Sequence, residues 1–569
     1  MKKIFNYSLL LSLFIFASSC DKGLSDLNKN KTSPTAIDPA FQLNNAVINA
    51  SFPTATVVYE MGIVQQVISP NGGVLAGANF NQDNRSVFGT VWQAYYRSVI
   101  RNTRDVIQTT KNTPERANLM NMARILQAFA FMVLTDTYGD IPYMEGGLGY
   151  IDQKFLPVYD PQQAIYTDII KELTEASAAL NATSRTEPAD ILYGGDIAKW
   201  KKFGYSLLLR AGMRLSKADA QKAQSTVQAA FNGGVILSNA DNAVMRHDAN
   251  YLGPIGNMLN GTEGANFFLT KPFVDHLKNT NDPRLQAIAI RYVGAKSGAE
   301  QTVAAGTTDP TKQIGMPMGK DNGTIVPAAT ADGLASFYEY SQVDRRRMTK
   351  GTAPVFFVSA AQNQLLLAEA AQRGWITVGT AAGYYNAGVT AHMEQLASFD
   401  AGSAVPAAAI QTYLNANPYN PATALQQINT QYWIASFLNG PETWATFRRT
   451  QSTYEIEICN ANQTLASSGC PLVADLRRRA AGAGLGRCPC PRSCWRGRLG
   501  RRRADALGRP GRRPRSCPVD GGPPSKHRER TGAGVHRRGR GALRVHGQGL
   551  GRQSLVIWRG SGARSRNRT

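Results

Sequence analysis

The segment SPNGGVLAGANFNQDNRS, residues 69–86, concentrates side chains suited to binding a polar ligand. An aromatic ring offers a face to the C–H surface of a sugar, and planar amide, carboxylate and guanidinium groups can form paired hydrogen bonds with hydroxyls. The candidate ligand-binding residues here are Asn79, Phe80, Asn81, Asp83 and Arg85. Glycine, proline and asparagine among them indicate a loop, so an ordinary surface turn is the alternative interpretation.

A second candidate is DANYLGPIGNML, residues 248–259, which offers Tyr251 and Asn257 as ligand-binding residues. It combines an aromatic ring with an amide, as the first segment does. Surface-turn chemistry is again the alternative interpretation.

The sequence contains no catalytic motif of the H-E-x-x-H, G-x-S-x-G or phosphate-loop type. Three histidines, His247, His276 and His392, precede the C-terminal region, and none has a cysteine beside it. We therefore expect neither a metal site nor a cofactor, and a binding protein in place of an enzyme. Because paired carboxylates can be contributed from distant positions, a helical glycan-active enzyme of the glycosidase type is the alternative.

Cys20 is the only cysteine before residue 459, and it follows a segment with the plan of a secretory signal. That segment has a basic start, an apolar run at residues 7–16 and small residues at 17–19. The apolar run is shorter than the roughly 20 residues of a membrane span. A cysteine directly after the cleavage site is typical of a bacterial lipobox, so the thiol of Cys20 is the predicted lipidation site. A secreted protein with an incidental cysteine is the alternative.

The net charge of +23 is confined to one end of the chain. Residues 471–569 hold 26 basic and 4 acidic residues, or +22, while residues 1–470 hold 37 and 36, or +1. The near-neutral body does not favour a nucleic-acid partner. The tail has 25 arginines and one lysine, Lys526, which favours GC-rich DNA read out of frame over an arginine-rich arm. Irregular spacing at Cys488, Cys490 and Cys494 argues against zinc.

Apolar residues recur with helical spacing in four pairs of neighbouring segments. The pairs are 88–107 with 119–133, 160–180 with 196–208, 365–370 with 384–393, and 425–435 with 441–447. They predict a mainly α fold, a tetratricopeptide-like scaffold of helical hairpins with long irregular loop insertions, mainly at 233–355. We expect Asp160 to cap one helix, through a capping box, and another helix to begin near Asp196.

Six motifs in order resemble the SusD/RagB family of Bacteroidota outer-membrane lipoproteins, and its nutrient-binding SusD-like branch most strongly. They are LTDTYGDIPYMEG (134–146), YDPQQAIYTDIIKEL (159–173), DILYGGDIAKWKKFGYSLLLRAGMRLSK (190–217), FVDHLKNTNDPRL (273–285), QLLLAEAAQRGW (364–375) and INTQYWIASFLNGPETWATFRRT (428–450). The resemblance implies a lipoprotein anchored in the outer membrane, facing the exterior, with Cys20 as its acylated residue. It further implies that the protein binds a glycan or peptide and passes it to a SusC-type TonB-dependent receptor, without catalysis.

The resemblance ends near Gln451, where QSTYEIEICNANQ replaces the Gly-Tyr-Pro turn usual in similar proteins. Four regions are therefore predicted. They are a lipoprotein signal peptide at 1–19, a lipidated tether at 20–37, a SusD-like helical nutrient-binding domain at 38–450, and an aberrant Arg/Gly/Pro-rich tail at 451–569, disordered or frameshifted.

Overall fold

The computed structural model describes residues 37–71, 85–261 and 263–450, and in these residues the fold is built mainly from helices. In chain order the α-helices are α1 (Pro39–Asn49), α2 (Ala55–Val58), α3 (Glu60–Ile63), α4 (Arg85–Ala94), α5 (Arg101–Thr110), α6 (Ala117–Tyr138), α7 (Gln162–Ala179), α8 (Ile197–Arg214), α9 (Ala220–Gly233), α10 (Pro254–Asn260), α11 (Lys271–Asn279), α12 (Arg284–Ile288), α13 (Ile325–Ala331), α14 (Ala360–Gln372), α15 (Ala381–Gln395), α16 (Ala407–Ala416), α17 (Ala424–Ala435) and α18 (Gly440–Thr450). The mainly α fold class predicted from helical spacing is confirmed.

Short strands are confined to the connections between helices. They are β1 (Val67–Ile68), β2 (Ala243–Met245), β3 (Phe268–Leu269), β4 (Ala289–Tyr292), β5 (Gly306–Thr307), β6 (Gln342–Val343) and β7 (Val355–Val358). Strand β1 pairs with β3, β2 pairs with β7, and β5, β4 and β6 form a three-stranded sheet in that order; all these pairings are antiparallel.

Each of the four predicted pairs of helices packs together in the structure. A π-helical turn, Tyr95–Ile100, joins α4 to α5, and α5 packs on α6. Helix α7 packs on α8, α14 on α15, and α17 on α18. The pairing of neighbouring helices is therefore as expected, while the likeness to tetratricopeptide repeats stays a prediction.

Helix α6 is the centre of the apolar core. Together with the preceding turn it forms the one helical stretch of the described residues, Pro114–Tyr138, that is long and apolar enough to span a membrane, and 83% of that apolar window is buried inside the protein. The ring of Phe129 on α6 lies 6.5 Å from Phe203 of α8 and 5.2 Å from Phe357 of β7. The apolarity of α6 is thus explained by burial among the other elements.

The start of α7 differs from the expectation. Pro161 flanks the helix, and the carboxylate of Asp160 caps the preceding turn by accepting hydrogen bonds from the backbone N–H groups of Tyr143 and Met144, each at 2.9 Å. The predicted capping box at Asp160 is therefore wrong, because these two nearby donors take the carboxylate. By contrast, Asp196 does cap α8, where it accepts from the Lys199 N–H at 3.1 Å.

The insertion predicted at 233–355 carries a small core of its own. Its buried members, together with Ile68 of β1, are Phe268, Met316, Ile325, Ala329, Leu334 and Tyr340. Because β1 and β3 contribute side chains to this core, they join the insertion to the helical scaffold. The first candidate segment, 69–86, begins directly after β1.

Candidate binding site

Strand β1, which directly precedes the first predicted ligand-binding segment, pairs with β3. Val67 lies opposite Leu269 and Ile68 opposite Phe268, in antiparallel register. In an antiparallel pair, the chain that leaves one strand runs beside the chain that enters the other. The segment that follows β1, residues 69–86, therefore starts beside the residues that precede β3.

The structure describes only the two ends of the first segment. Asn79, Phe80, Asn81 and Asp83 lie outside the described residues, and Arg85 is described only as the first residue of α4. Their role as ligand-binding residues stays a prediction.

Tyr251 and Asn257 both have exposed side chains. The carboxylate of Asp248 accepts hydrogen bonds from the N–H groups of Asn250 and Tyr251, which closes a turn and leaves the Tyr251 side chain 56% exposed. Asn257 is exposed on α10. The structure thus places both residues where a ligand can reach them, within one continuous segment.

His247 holds the base of this turn from inside. One ring nitrogen lies 2.7 Å from the Tyr251 carbonyl oxygen and the other 2.9 Å from the Ser51 hydroxyl. Burial lowers the pKa of His247, so the neutral ring is favoured. This histidine supports the turn that carries Tyr251, which explains its position without a metal.

Helix α10 is clamped against residues 348–351. A side chain on Gly256 would bring its Cβ within 2.3 Å of the Lys350 carbonyl oxygen, so the helix needs glycine at this contact. The Asn260 amide donates to the carbonyl oxygens of Thr349 and Gly256. The helix that presents Asn257 is therefore fixed in place without a ligand.

Arg345 is the residue of this region that sequence analysis missed. Its guanidinium lies 3.4 Å from the Leu259 carbonyl oxygen and 3.4 Å from the Gln301 side-chain oxygen, longer than the usual 2.7–3.2 Å. Its buried Nε has no hydrogen-bond partner in the part of the chain that the structure describes. Because Arg345 is partly exposed and both contacts of its terminal nitrogens are long, these nitrogens retain hydrogen-bonding capacity for another molecule.

The two arginines that follow Arg345 are held differently. Arg346 and Arg347 both pair with the buried carboxylate of Asp344, at 3.2 and 2.7 Å. Arg347 also donates to the carbonyl oxygens of Gly402 and Gln286, at 2.6 and 2.8 Å. Of the three consecutive arginines, only Arg345 has long contacts throughout.

Aromatic rings lie beside Arg345. The Cζ atom of Arg345 is 5.9 Å from the centre of the Tyr292 ring, within cation–π range. The Gln301 amide, which faces Arg345, donates to the Tyr338 carbonyl oxygen at 3.0 Å, and the Tyr338 ring stacks on Phe337. Aromatic, amide and guanidinium groups therefore meet around Arg345, and we call this cluster the Arg345 junction. It is the combination of groups that was sought in the sequence.

The sequence carried a weak signal for this cluster. The run DRRR at 344–347 stands inside the predicted insertion, but sequence alone cannot tell a paired arginine from an unpaired one. Gln301 and Tyr292 are far from Arg345 in sequence and meet it only through the fold.

Two cavities within the described residues bear on the glycosidase alternative. A cavity of about 40 Å³ beside α10 is too small for a sugar ring, and its buried Gln395 oxygen and Thr349 hydroxyl have no hydrogen-bond partner among the described residues. A larger cavity of about 470 Å³ is bordered by α7, α8 and α18, with two acidic residues, Asp136 and Asp219. Asp219 caps α9, and Asp136 accepts from Tyr166 and Arg214.

No cluster of metal ligands occurs within the three described stretches of the chain. Three carboxyls there have raised pKa values through burial: Glu60, Asp190 and Glu187. None of them borders these two cavities or a third one, of about 10 Å³, beside Asp136 and Glu442. The carboxylates that do border cavities are Asp136, Asp219 and Glu442, and each is held by hydrogen bonds or ion pairs within the fold.

Comparison with known proteins shows the family to which this chain belongs. Residues 29–455 match the model of the SusD-like family described as starch-binding and associating with the outer membrane, so the chain belongs to that family. No curated protein matches it.

Several solved structures are similar to this one. A chitin-binding protein is 29% identical with a TM-score of 0.66, and 76% of this chain and 91% of that chain are covered. A SusD-like protein from Bacteroidetes is 23% identical with a TM-score of 0.65, covering 75% and 92%. A chitin-binding SusD homolog from Flavobacterium johnsoniae is 21% identical with a TM-score of 0.60, covering 74% and 88%. The last two likenesses establish the SusD-like fold.

Proposed function

We propose that this protein is a lipid-anchored glycan-binding protein of the outer membrane that delivers its ligand to a SusC-type TonB-dependent transporter. The family description, starch-binding and associating with the outer membrane, supports the glycan and the location. The chitin-binding protein at 29% identity supports a glycan as ligand more than a peptide. The Arg345 junction is the observation in this chain that carries the proposal.

The ligand binds at Arg345, whose guanidinium lies against the Leu259 carbonyl oxygen of α10. Tyr251 and Asn257, in the segment that leads into and forms this helix, and the predicted residues of 69–86 are its proposed further contacts. Hydrogen bonds to charged groups contribute about 1.5–3 kcal/mol each, so a guanidinium with free capacity is a strong anchor for hydroxyl or N-acetyl oxygens. The site is proposed to bind its ligand without catalysis.

The experiment is a binding measurement with maltooligosaccharides, chitooligosaccharides and a peptide mixture, followed by product analysis. Arg345→Gln should weaken binding of the preferred glycan at least about tenfold, because one charge-assisted hydrogen bond is lost. Arg346→Gln is the matched control, since its guanidinium pairs with Asp344. Equal loss in both variants would contradict the site. Appearance of shortened products would favour the glycosidase alternative, and binding of peptides alone would replace the glycan.

Anchoring is tested separately. Cys20 lies outside the described residues, and its lipidation stays a proposal. Cys20→Ala should release the protein from the membrane fraction, because the variant can no longer carry the proposed acyl chains. Each buried methylene of such a chain contributes about 0.8 kcal/mol, and stable anchoring needs more than one chain. Retention of the variant after a high-salt wash would contradict the lipid anchor.

A further inference from the structure

The loop at residues 142–159 carries an unusual concentration of exposed apolar side chains. Of the 17 large hydrophobic side chains that are exposed in the described residues, six lie in this loop, and no other stretch of that length there holds more than three. The six are Met144, Tyr150, Phe155, Leu156, Val158 and Tyr159. Leu156 is 93% exposed, Tyr150 89% and Phe155 75%. Exposed apolar side chains that cluster in this way are typical of surfaces that bind another protein or a membrane.

The loop is an ordered structure with both ends closed. The N–H of Asp160 donates to the carbonyl oxygen of Ile141 at 2.9 Å, which joins the two ends in an antiparallel bridge. Loops with closed ends and internal packing are frequently functional. The apolar side chains are therefore displayed from a fixed base.

Side chains from neighbouring helices hold the first half of the loop. Arg104 of α5 donates to the carbonyl oxygens of Tyr143, at 2.7 Å, and Gly146, at 3.2 Å. The Tyr96 hydroxyl donates to the Pro142 carbonyl oxygen at 2.6 Å. Little ordering entropy remains to be lost when this surface binds, which favours affinity.

The second half of the loop is tied to the first. Glu145 pairs with Lys154 at 3.1 Å and accepts from the Val158 N–H at 3.2 Å. The Tyr159 ring stacks on Trp92 of α4, with ring centres 6.0 Å apart. Because Glu145 and Lys154 neutralise each other, the surface between them is effectively apolar.

We infer that the 142–159 loop is the docking surface for an integral protein of the outer membrane, namely the transporter of the proposed function, on which this inference rests. A fully buried aromatic side chain covers about 150–250 Å². Three exposed aromatic and three exposed aliphatic side chains therefore approach the roughly 800 Å² per partner of a standard protein interface.

Two features favour a protein over a lipid surface. The loop has two acidic residues, Glu145 and Asp152, and one basic residue, Lys154, whereas surfaces that bind anionic lipid carry an excess of Lys and Arg. The loop is also irregular, and irregular backbone in hydrocarbon leaves N–H and C=O groups without partners. A protein partner can satisfy those groups.

The experiment places a photo-crosslinking phenylalanine analogue at residue 156 of the full-length lipoprotein in its native membrane. We expect an ultraviolet-dependent adduct with a TonB-dependent β-barrel receptor, identified by mass spectrometry. The same analogue at Val378, 64% exposed on another part of the surface, is the matched control and should give no such adduct. An adduct with lipid only, with a second copy of this chain, or no adduct at all would overturn the inference.

A double variant tests the energetics. Phe155→Asp with Leu156→Asp should reduce co-purification with the receptor at least about tenfold, because apolar anchors dominate such interfaces. Both side chains are exposed, so the thermal midpoint should match that of Val378→Asp. Glycan affinity of the purified double variant should be unchanged. Loss of docking with unchanged glycan affinity would support the loop as the docking surface. A wild-type protein that docks on the receptor but binds no glycan would contradict the proposed ligand and leave the docking surface standing.

Discussion

Arginines play opposite parts in two regions of this protein. Between α6, α8 and α18, Arg210 and Arg214 are nearly fully buried and share the carboxylate of Glu442, at 3.0 and 2.7 Å. Beside the end of α10, Arg345 is partly exposed and its two contacts are both 3.4 Å. The first region uses guanidinium groups as structural ties, and the second leaves one with capacity to bind.

The two regions differ in the ion pairs that hold their arginines. In the helical region, Glu442 also accepts from the Tyr432 hydroxyl at 2.6 Å, and Arg214 also pairs with Asp136 at 3.1 Å. Removing one member of a buried ion-pair network is strongly destabilising, because it leaves the remaining charge uncompensated. A site for an external ligand needs the reverse, a polar group positioned by the fold and not consumed by it.

The largest expected effect comes from breaking the helical network. Burial disfavours ionisation of Glu442, but Arg210 and Arg214 outweigh burial and hold its pKa below the usual value. Glu442→Gln removes the shared charge and should lower the free energy of unfolding by about 3–5 kcal/mol. Urea denaturation at pH 7 measures this.

Its control is Glu175→Gln, which removes a half-exposed carboxylate that pairs with Arg124 at 2.9 Å. A surface pair of this kind contributes about 0–1 kcal/mol. Because the folded-state pKa of Glu442 is depressed, its contribution is present above the unfolded pKa and is lost as pH falls through the folded pKa. The gap between wild type and Glu442→Gln should therefore narrow in acid, and a pH-independent gap would count against the charge-based explanation.

A second, smaller effect concerns a buried carboxyl that has no matching charge. Glu60 of α3 is 4% exposed, its Oε2 has no hydrogen-bond partner among the described residues, and burial raises its pKa to about 8. Glu60→Gln should raise the free energy of unfolding by up to about 3 kcal/mol at pH 7, because the folded protein no longer has to keep a proton that the unfolded chain releases.

The sign of this effect follows from the raised folded-state pKa. Below the unfolded pKa of about 4.5 both states are protonated and the variant gains nothing. Wild-type stability then falls as pH rises, until about pH 8, so the advantage of Glu60→Gln should grow across that window. Thermal melts at several pH values measure it, with Glu115→Gln on an exposed turn as control. An advantage that is already full at pH 4.5 would show that packing, not ionisation, is responsible.

Local sequence signals predicted much of the scaffold and little of the site. Asp196 was recognisable as a helix start because capping depends on residues within one turn. Asp160 was misread because its carboxylate caps Tyr143 and Met144, seventeen and sixteen residues away, which no local pattern reveals. Long-range contacts decide such cases.

The same limit applies to the binding region. Tyr251 and Asn257 are predicted as ligand-binding residues from their place in a loop-like segment, and the structure leaves both exposed, while their role stays a prediction. Arg345 could not be separated from Arg346 and Arg347, because the distinction depends on which of them the buried Asp344 reaches. The exposure of the apolar side chains in the 142–159 loop could not be predicted either, because the sequence alone does not show which of them face solvent.

The smallest expected effect, and the sharpest test of the comparison, is on stability at Arg345. Because both of its contacts are long, Arg345→Gln should change the free energy of unfolding by less than about 0.5 kcal/mol. Arg347→Gln, two residues on, breaks an ion pair and two short hydrogen bonds and should cost about 1–3 kcal/mol. Urea denaturation of both variants without ligand separates the two kinds of arginine. Equal destabilisation would mean that Arg345 is a structural tie like Arg214, and the weaker glycan binding expected of its variant would then have to be ascribed to a disturbed fold.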